Sequence, residues 1–442
     1  MKKKLTLLGL VLLVSALLVA CAGGAADTGG DAGDAGDAGD DAAEEAAEEE
    51  MEEEMEEEME EGEVVELTIW HQWSGDYLDE ITAVITEYDE NNENIVINLD
   101  QPEDVANSLS VAIPAGEGPD IIGWANDQIG TQALAGNIVA LDDYGIDMSF
   151  LESTYEPAAV NGVVWQDRIW GLPESQEGIA LIVNTDVVDP SVFPDDPNDL
   201  DGLLAAAQTF YEENNGEKFL VCNQGFGGED AYHIAPVFFG FGVPEYVDDE
   251  GNVYLDTPEG QAAAQWLADF AEVSQSEASY ELCDTSLAEG TVAAWWTGPW
   301  AINGVEGNGI NYEIVPMGRP FVGIKVMMLS KNAVDRGHED EALAFMEYFT
   351  SAEIQARLAN VNKTIPAPTE AFQDEGVQTS TTLAGFGNAL EVGIPMASTP
   401  FASAQWGPVG AAGLAIWTGA QEPADAVRDA QEAIEASVAD MR

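Results

Sequence analysis

Short apolar runs alternate with helix-like segments in the sequence after Gly62. The runs VVELTIW (64–70), NIVINLD (94–100) and DIIGW (120–124) are typical of buried strands. Between the first two runs, apolar residues recur at the spacing of one helix face: Tyr77, Ile81, Val84, Ile85 and Tyr88. Because such alternation places helices on both faces of a sheet, the pattern predicts an α/β fold with a mostly parallel sheet.

A second alternation begins near Leu200. Before it, VVWQDRIWGLP (163–173) predicts a hairpin that turns near Asp167, and GIALIVN (178–184) predicts a strand. The later elements are predicted helices to Tyr211, over 232–239 and over 258–273, and predicted strands KFLVCN (218–223), TVAAWW (291–296), YEIVPM (312–317) and FVGIKVMML (321–329). After Gly337 the pattern is almost wholly helical.

Two α/β lobes fit this organisation better than one oversized sheet. We predict one lobe from 64–176 plus 324–370 and a second from 177–323 plus 371–442. The cleft between two lobes is a preferred place for a ligand. Trp124 and Asp127 follow DIIGW, and open α/β sheets bind ligands at the carboxyl ends of such strands.

The amino terminus predicts export. Three lysines precede a 16-residue apolar run, Leu5 to Ala20, which is typical of a signal peptide over 1–20 and short for a membrane-spanning helix. The run ends in LVAC, which resembles a bacterial lipobox and implies lipidation of Cys21; an ordinary signal-peptidase site is the alternative. Residues 22–63 hold 20 Asp and Glu with no Lys or Arg, and therefore predict a disordered spacer on a lipid anchor at 21–63. The predicted location is the outer face of the cell membrane.

The charge of the remaining chain excludes some partners. Residues 64–442 contain 63 acidic and 10 basic residues. Binding to nucleic acid requires dense Lys and Arg, and an anionic membrane surface repels such a chain, so we expect membrane contact through the anchor alone. A monomer is predicted. The acidic excess also suggests a saline habitat, a hypothesis that equal stability from low to molar salt would contradict.

Cysteine and histidine give no catalytic signature. Cys222 and Cys283 remain after Cys21, and in an oxidising compartment they either pair or stay free; a disulfide would stabilise the fold by ~4 kcal/mol in the chain-entropy model. The three histidines, His71, His233 and His338, lie far apart without zinc spacing. Because nucleophile-elbow, phosphate-loop and metalloprotease motifs are also missing, we predict no metal, no cofactor and no enzyme activity.

Tryptophans at strand ends and turns point to another chemistry. We expect five of them in the core, namely Trp70, Trp165, Trp266, Trp295 and Trp296. Trp73, Trp124, Trp300 and Trp406 border Ser, Gly, Pro or Asn and are predicted to face a ligand. Four carboxylates accompany them in sequence: Asp76, Asp127, Glu177 and Asp230. Each of them could alternatively cap a helix or face solvent. Together, indole faces and carboxylate acceptors suit a ligand with C–H faces and hydroxyl edges.

Four segments carry a family resemblance: GPDIIGWANDQIG, IWGLPESQEGIALIVNTDVV, WWTGPWAI and FASAQWGPV. They resemble, in order, segments of the maltose-binding class of extracellular solute-binding proteins, the capture subunits of ABC sugar importers. The resemblance covers about 64–442. It implies a two-lobed periplasmic-binding-protein-like II fold with three inter-lobe crossovers. It also implies that the lobes close over a sugar or oligosaccharide and deliver it to a membrane permease.

The resemblance also implies site residues. The matching positions are Trp124 and Asp127 in the first lobe, Glu177 at the crossing, Asp230, Tyr232 and Trp300 in the second lobe, Trp406 in a late helix, and His71, Gln72, Trp73 and Ser74 in the loop HQWSGD. Gln128 and Gly410 stand where the maltodextrin binder has arginines, and no Lys lies in the first loop. These departures predict a pocket that is unusually poor in cations. Such a pocket takes a neutral sugar and has no Lys or Arg to meet an acidic one.

Two other functions remain open at this point. A glycoside-processing enzyme would use paired carboxylates such as Asp127 and Glu177 across a glycosidic bond. An adhesive surface lipoprotein would retain a cleft that binds no sugar. Release of reducing ends would identify the enzyme, and a lack of thermal stabilisation by any sugar would favour the adhesive protein.

Overall fold

The computed structural model describes residues 64–73, 76–102 and 105–442. The predicted signal peptide, Cys21, the spacer up to 63 and Ser74 lie outside these ranges. The strands are β1 (Val65–His71), β2 (Ile95–Asp100), β3 (Ile121–Ala125), β4 (Val164–Trp165), β5 (Arg168–Ile169), β6 (Leu172–Glu177), β7 (Ala180–Asn184), β8 (Phe219–Cys222), β9 (Val292–Thr297), β10 (Tyr312–Val315), β11 (Phe321–Leu329), β12 (Ile365–Pro366) and β13 (Ile394–Pro395).

Helices cover both sheets and fill the carboxyl-terminal part. They are α1 (Asp76–Asn91), α2 (Val105–Ala115), α3 (Ile129–Leu134), α4 (Met148–Thr154), α5 (Pro157–Val163), α6 (Leu200–Glu213), α7 (Ala231–Gly240), α8 (Pro258–Ala271), α9 (Tyr280–Glu289), α10 (Ile302–Gly307), α11 (Lys331–Arg336), α12 (Glu339–Phe349), α13 (Ala352–Asn362), α14 (Glu375–Thr379), α15 (Thr381–Glu391), α16 (Trp406–Trp417) and α17 (Pro423–Met441). Short 3₁₀ helices lie at Asn126–Gln128, Leu141–Tyr144, Pro190–Val192, Pro299–Ala301, Thr369–Gln373 and Pro400–Ala404. None of the helices in the described ranges combines the length and apolar character that a bilayer crossing requires.

The first sheet has the strand order β12–β6–β11–β3–β1–β2, and β13 also pairs with β11. Strands β1, β2 and β3 are parallel, whereas β11 is antiparallel to both β3 and β6. The prediction of a mostly parallel sheet is therefore wrong for half of it. The reason is topological: β6 leaves toward the second sheet and β11 returns from there, so β11 enters at the end where β3 and β6 finish.

The second sheet has the order β10–β7–β9–β8, with only β8 and β9 parallel. One hydrophobic core packs around the first sheet and two pack on the faces of the second sheet, and we call the two parts the first and second lobes. In the second lobe, Cys222 at the end of β8 and Cys283 in α9 form a buried disulfide with a Cα–Cα distance of 5.5 Å. That distance lies within the usual range for the bond.

The chain passes between the sheets three times: from β6 to β7, from β10 to β11, and from β12 to α15. It then contacts the first lobe again, because β13 pairs with β11 and the 3₁₀ helix Pro400–Ala404 packs on α3. This approach requires a glycine at 130, since a Cβ added there would lie 2.3 Å from the Pro400 nitrogen. Helices α16 and α17 finally pack on α8 of the second lobe. The three crossings agree with the expected fold.

Candidate functional site

A cavity of about 240 Å³ lies where β3, β6 and the middle of β11 meet elements of the second lobe. The lining residues are Gln72, Trp124, Ala125, Asp127, Glu177, Tyr232, Trp300, Gly323, Ile324, Lys325, Met396 and Trp406. Seven of these are residues that the sequence predicted for a ligand site. Segments more than 300 residues apart in sequence are therefore brought to one place.

The end of β3 is held by Asn126, which the sequence analysis missed. Its side-chain nitrogen donates to the Met396 carbonyl (2.7 Å) and the Ser398 hydroxyl (2.9 Å), and its Oδ1 accepts from the Ile324 amide (3.0 Å). Because Asn126 is buried and makes all three bonds, it fixes the turn that presents Asp127. A polar residue directly after a buried strand was the signal available in the sequence.

Asp127 is buried at the edge of the cavity. Its Oδ2 accepts from the Trp406 indole Nε1 (2.9 Å) and the Gln128 amide (3.1 Å). Burial raises the pKa of Asp127 to about 6, although these two donors and the nearby Lys325 act in the opposite direction. The carboxylate is therefore ionised at neutral pH and gains its proton in mildly acidic solution.

Lys325 is a cation that lines the cavity, and the sequence analysis did not expect a Lys or Arg there. It comes from β11, its side chain is 18 % exposed, and its Nζ lies 3.3 Å from Glu177 Oε2. The Gln72 amide, oriented with its oxygen toward the donors around it, accepts from Lys325 Nζ and from the Ala125 backbone amide at 3.2 Å. The Tyr77 hydroxyl donates to Glu177 Oε1 at 3.4 Å. A single Lys within the otherwise apolar strand FVGIKVMML was the signal in the sequence.

Glu174 was also missed. Its carboxyl is buried in β6, and burial raises its pKa to about 8; Lys325 and a side-chain hydrogen bond from Trp73 oppose the shift, while Glu177 adds to it. Glu174 is therefore largely protonated at neutral pH. It lies near Lys325 without lining the cavity.

The second lobe contributes an aromatic wall. The Trp300 ring lies 6.3 Å from Tyr232, Tyr232 stacks on Phe321 (6.0 Å, 11° between planes), and Trp406 meets Phe321 edge-on at 5.6 Å. The Trp300 ring folds back over Gly298, where an added Cβ would lie 2.2 Å from the ring. Since Trp300 also packs against the cores of both lobes, its orientation is fixed by its surroundings.

Trp73 and His71, two of the predicted ligand contacts, do not line the cavity. Trp73 is 2 % exposed and packs in the first-lobe core against Phe349, with ring centroids 5.4 Å apart. Gly123 of β3 makes room for the indole, because a Cβ there would lie 3.2 Å from it. His71 stacks on Trp73 at 5.0 Å, and burial lowers the pKa of His71.

Asp230 serves as the cap of α7. Its Oδ1 accepts from the backbone amides of Tyr232 (3.0 Å) and His233 (3.1 Å), and its Oδ2 lies 2.7 Å from His233 Nδ1. Burial raises the pKa of Asp230, but His233 and these amides outweigh burial and lower it overall. Asp230 does not line the cavity, so the cap alternative describes its position. Ser74 lies outside the described residues.

A larger cavity of about 1240 Å³ lies on the other face of β11. Its wall includes Val322, which alternates along the strand with Gly323 and Lys325 of the smaller cavity. Ile324 and Met396 border both spaces. None of the predicted ligand residues lines the larger cavity. The described residues contain no group of three or more His, Cys, Asp or Glu that could hold a metal ion.

The sequence pattern of the bacterial extracellular solute-binding proteins matches residues 83–385. The chain belongs to this family. An extracellular solute-binding protein is exported and binds its solute without changing it chemically. The prediction that the chain is a binding protein and not an enzyme is thereby confirmed, and the glycoside-processing alternative is set aside.

Two relatives show which solutes similar proteins take. The maltotriose-binding protein of Pyrococcus abyssi (strain GE5 / Orsay) is 28% identical over 357 residues, 78% of this chain and 76% of the relative. The galactooligosaccharide-binding protein of Bacillus subtilis (strain 168) is 22% identical over 348 residues, 72% of this chain and 77% of the relative.

Solved structures confirm the two-lobed fold of this extracellular solute-binding protein. The maltose/maltodextrin-binding domain MalE of Bdellovibrio bacteriovorus, bound to maltotriose, has a TM-score of 0.75 at 20% identity and covers 85% of this chain and 100% of its own. The Thermus thermophilus maltotriose-binding protein, bound with maltotriose, has a TM-score of 0.71 at 20% identity and covers 84% of this chain and 100% of its own.

Proposed function

We propose that the chain is the substrate-binding component of an ABC transporter, which captures a neutral sugar or oligosaccharide in the 240 Å³ cavity and delivers it to a membrane permease. One observation carries the proposal: indole rings from both lobes and two buried carboxylates face the same cavity. Aromatic faces cover the C–H surface of a sugar, while carboxylates accept its hydroxyl hydrogens. The solutes named for the two relatives, maltotriose and galactooligosaccharide, support this class of ligand.

Within this proposal the lining residues have distinct roles. Trp124, Trp300 and Trp406, together with Tyr232, stack on sugar rings. Asp127 and Glu177 accept hydroxyl hydrogen bonds, and each bond to a charged group contributes roughly 1.5–3 kcal/mol. Gln72 offers an amide beside them. We assign His71, Trp73 and Asp230 no contact with the sugar, because they lie outside the cavity.

The size of the cavity bears on how the sugar enters. At about 240 Å³ it lies below the roughly 300–1,000 Å³ of typical ligand pockets. We therefore propose that an oligosaccharide enters a more open arrangement of the lobes and favours closure because it contacts both walls. The three crossings are the hinge. The proposed lobes are 64–176 plus 324–370 and 177–323 plus 371–442.

The amino-terminal segment supports a proposal about the cellular location of the protein. We propose that residues 1–20 direct export, that Cys21 carries lipid, and that the acidic segment to residue 63 is a spacer from the outer face of the membrane. The anchor is then the only membrane contact, and the protein is a monomer. Replacing Cys21 with Ser should release the protein into the medium and abolish labelling by radioactive palmitate. Retention of label in that variant would contradict lipidation.

Calorimetric titration tests the sugar function. The panel is maltose, maltotriose, maltotetraose and galactobiose, with glucuronic acid as the acidic comparison. We expect saturable binding of at least one neutral sugar, a rise in melting temperature, and no release of reducing ends after prolonged incubation. Absence of binding and of thermal stabilisation across the panel would overturn the proposal and favour an adhesive lipoprotein.

A further inference from the structure

Lys325 occupies an unusual place for a lysine. It lies in the middle of β11, a strand whose other residues are all buried, opposite Ala125 of β3 and Ser175 of β6. Its side chain lines the cavity. No other Lys or Arg of the described residues lines it. The ammonium is thus the one cation that a ligand in this cavity could contact.

The partners of the ammonium hold it in place. Glu177 Oε2 lies 3.3 Å from Nζ, and the Gln72 carbonyl oxygen accepts from the same atom. A lysine ammonium has three N–H donors, and these two acceptors are the ones that the described residues offer it. One N–H is left for a group inside the cavity. With 18 % of its surface exposed, the side chain is open to that group.

Lys325 is the charged donor of the cavity, beside the uncharged N–H and O–H donors of Gln72, Trp124, Trp300 and Tyr232. Asp127 and Glu177, when ionised, only accept hydrogen bonds, and the Trp406 N–H is already given to Asp127. A sugar hydroxyl both donates and accepts. A hydroxyl placed between Lys325 and a carboxylate would therefore satisfy both capacities, whereas carboxylates alone leave its oxygen unpaired.

We propose that Lys325 is a specificity-determining residue, which donates to one hydroxyl oxygen of a neutral sugar and, by pairing with Glu177, offsets the negative charge of the cavity floor. The inference rests on the proposed sugar function. Because Glu177 already pairs with the ammonium, an anionic sugar gains no free cation. A preference for neutral sugars therefore remains the prediction, because the cation of the cavity is already paired.

The test compares two lysines of the first lobe. Lys325→Met removes the cavity ammonium; Lys331→Met, the control, removes an exposed lysine that pairs with Asp335 on α11. Affinity is measured by calorimetry for whichever of maltose, maltotriose, maltotetraose and galactobiose binds the wild type most tightly. We expect Lys325→Met to weaken binding roughly tenfold to hundredfold, the range for a hydrogen bond to a charged group, and Lys331→Met to leave it unchanged.

Monodeoxy derivatives of the same sugar separate a direct contact from a structural effect. In the wild type, the derivative lacking the contacted hydroxyl should bind at least about tenfold more weakly than the parent sugar. In Lys325→Met this difference should become clearly smaller, because only the bond from the hydroxyl to the carboxylate remains. Lys325→Met leaves the Glu177 carboxylate without its partner and could therefore unfold the protein. In that case the parent sugar and its derivatives are compared in the double variant Lys325→Met with Glu177→Gln, which lacks this carboxylate. If the variant shows the same relative affinities for the derivatives as the wild type, the role of Lys325 is overturned, while the proposed sugar function is not. A wild type that binds none of the four sugars overturns the proposed function, and this inference with it.

Discussion

The two walls of the cavity differ in chemistry. The first-lobe wall carries Asp127, Glu177 and Lys325; an ion pair joins Lys325 to Glu177, and Asp127 accepts from the Trp406 indole. The second-lobe wall is a chain of ring contacts through Tyr232 and Trp300. Hydrogen-bonding groups demand specific positions of their partners, whereas ring faces accept many. In the proposed function, the first wall therefore selects the sugar and the second supplies most of the buried area.

The walls also differ in how they are held. Asn126 and the pairing of β11 with β3 and β6 fix the polar groups within one sheet. The aromatic residues stand on a helix and on a 3₁₀ helix at Pro299–Ala301, connected to the first lobe through the crossings. The difference predicts that substitutions in the two walls affect binding in separable ways.

The largest effect is expected for Trp300→Ala. Loss of a stacking surface should weaken sugar binding by about 3 kcal/mol, more than a hundredfold, since large aromatic anchors dominate such contacts. Trp165→Ala is the control, because Trp165 is also half-buried but borders the larger cavity. Affinity is measured by calorimetry and folding by thermal unfolding. Equal affinity for the wild type and a folded Trp300→Ala variant would remove the aromatic wall from the proposal.

Asp127→Asn tests the polar wall. We expect a loss of roughly 1.5–3 kcal/mol in binding, because the amide keeps the shape but loses the charge. The wild type should also bind more weakly as the pH falls below about 6, where Asp127 becomes protonated given its raised pKa. Affinity measured from pH 5 to 8 should show this dependence, and the variant should lack it. The exposed Asp201→Asn serves as the control for charge alone.

Glu174→Gln tests stability. An unfolded glutamate has a pKa near 4.5, whereas burial keeps the pKa of Glu174 at about 8 in the fold. The unfolded chain therefore loses this proton first, and the free energy of unfolding falls as the pH rises between these values. We expect the contribution of Glu174 to the free energy of unfolding to fall by roughly 2 kcal/mol between pH 5 and 7. The variant should lack this pH dependence. Urea denaturation measures the slope; exposed Glu152→Gln should keep the wild-type slope.

Tyr232→Phe should have the smallest effect, below about 0.5 kcal/mol on binding, because a stacking residue acts through its ring. Calorimetry with the same sugar measures the change. A loss as large as that of Asp127→Asn would show that the second wall also reads hydroxyl positions. The contrast between the walls would then need revision.

Much of the fold could be predicted from the sequence. The apolar runs that became β1, β3, β7 and β9 have strand composition; β7 and β9 are buried on both faces of their sheet, and β1 and β3 over most of their length. The hairpin near Asp167 was also predictable; Gln166 and Asp167 adopt positive φ there. The direction of β11 could not be predicted, since an apolar run looks the same in either orientation.

The candidate site was predicted in part. Trp124 and Asp127 follow a buried strand, and position along the chain is enough to place them at its carboxyl end. Trp73 shows the limit: its neighbours in sequence are polar, but the space above Gly123 accepts its ring and removes it from the cleft. Asp230 shows a second limit of prediction from the sequence, because its carboxylate already accepts from the backbone amides of the helix that it caps, and these compete with any ligand.

The sequence by itself determined the α/β elements, the acidic character of the chain, and the aromatic and carboxylate residues at strand ends, because periodicity and local composition are properties of neighbouring residues. Only the tertiary structure decided which of these residues share a cavity and that Lys325 joins them. Both depend on strands that pair across more than a hundred residues of intervening chain. Whether a side chain faces a cleft or a core is set by what packs against it, and those partners lie far away in the sequence.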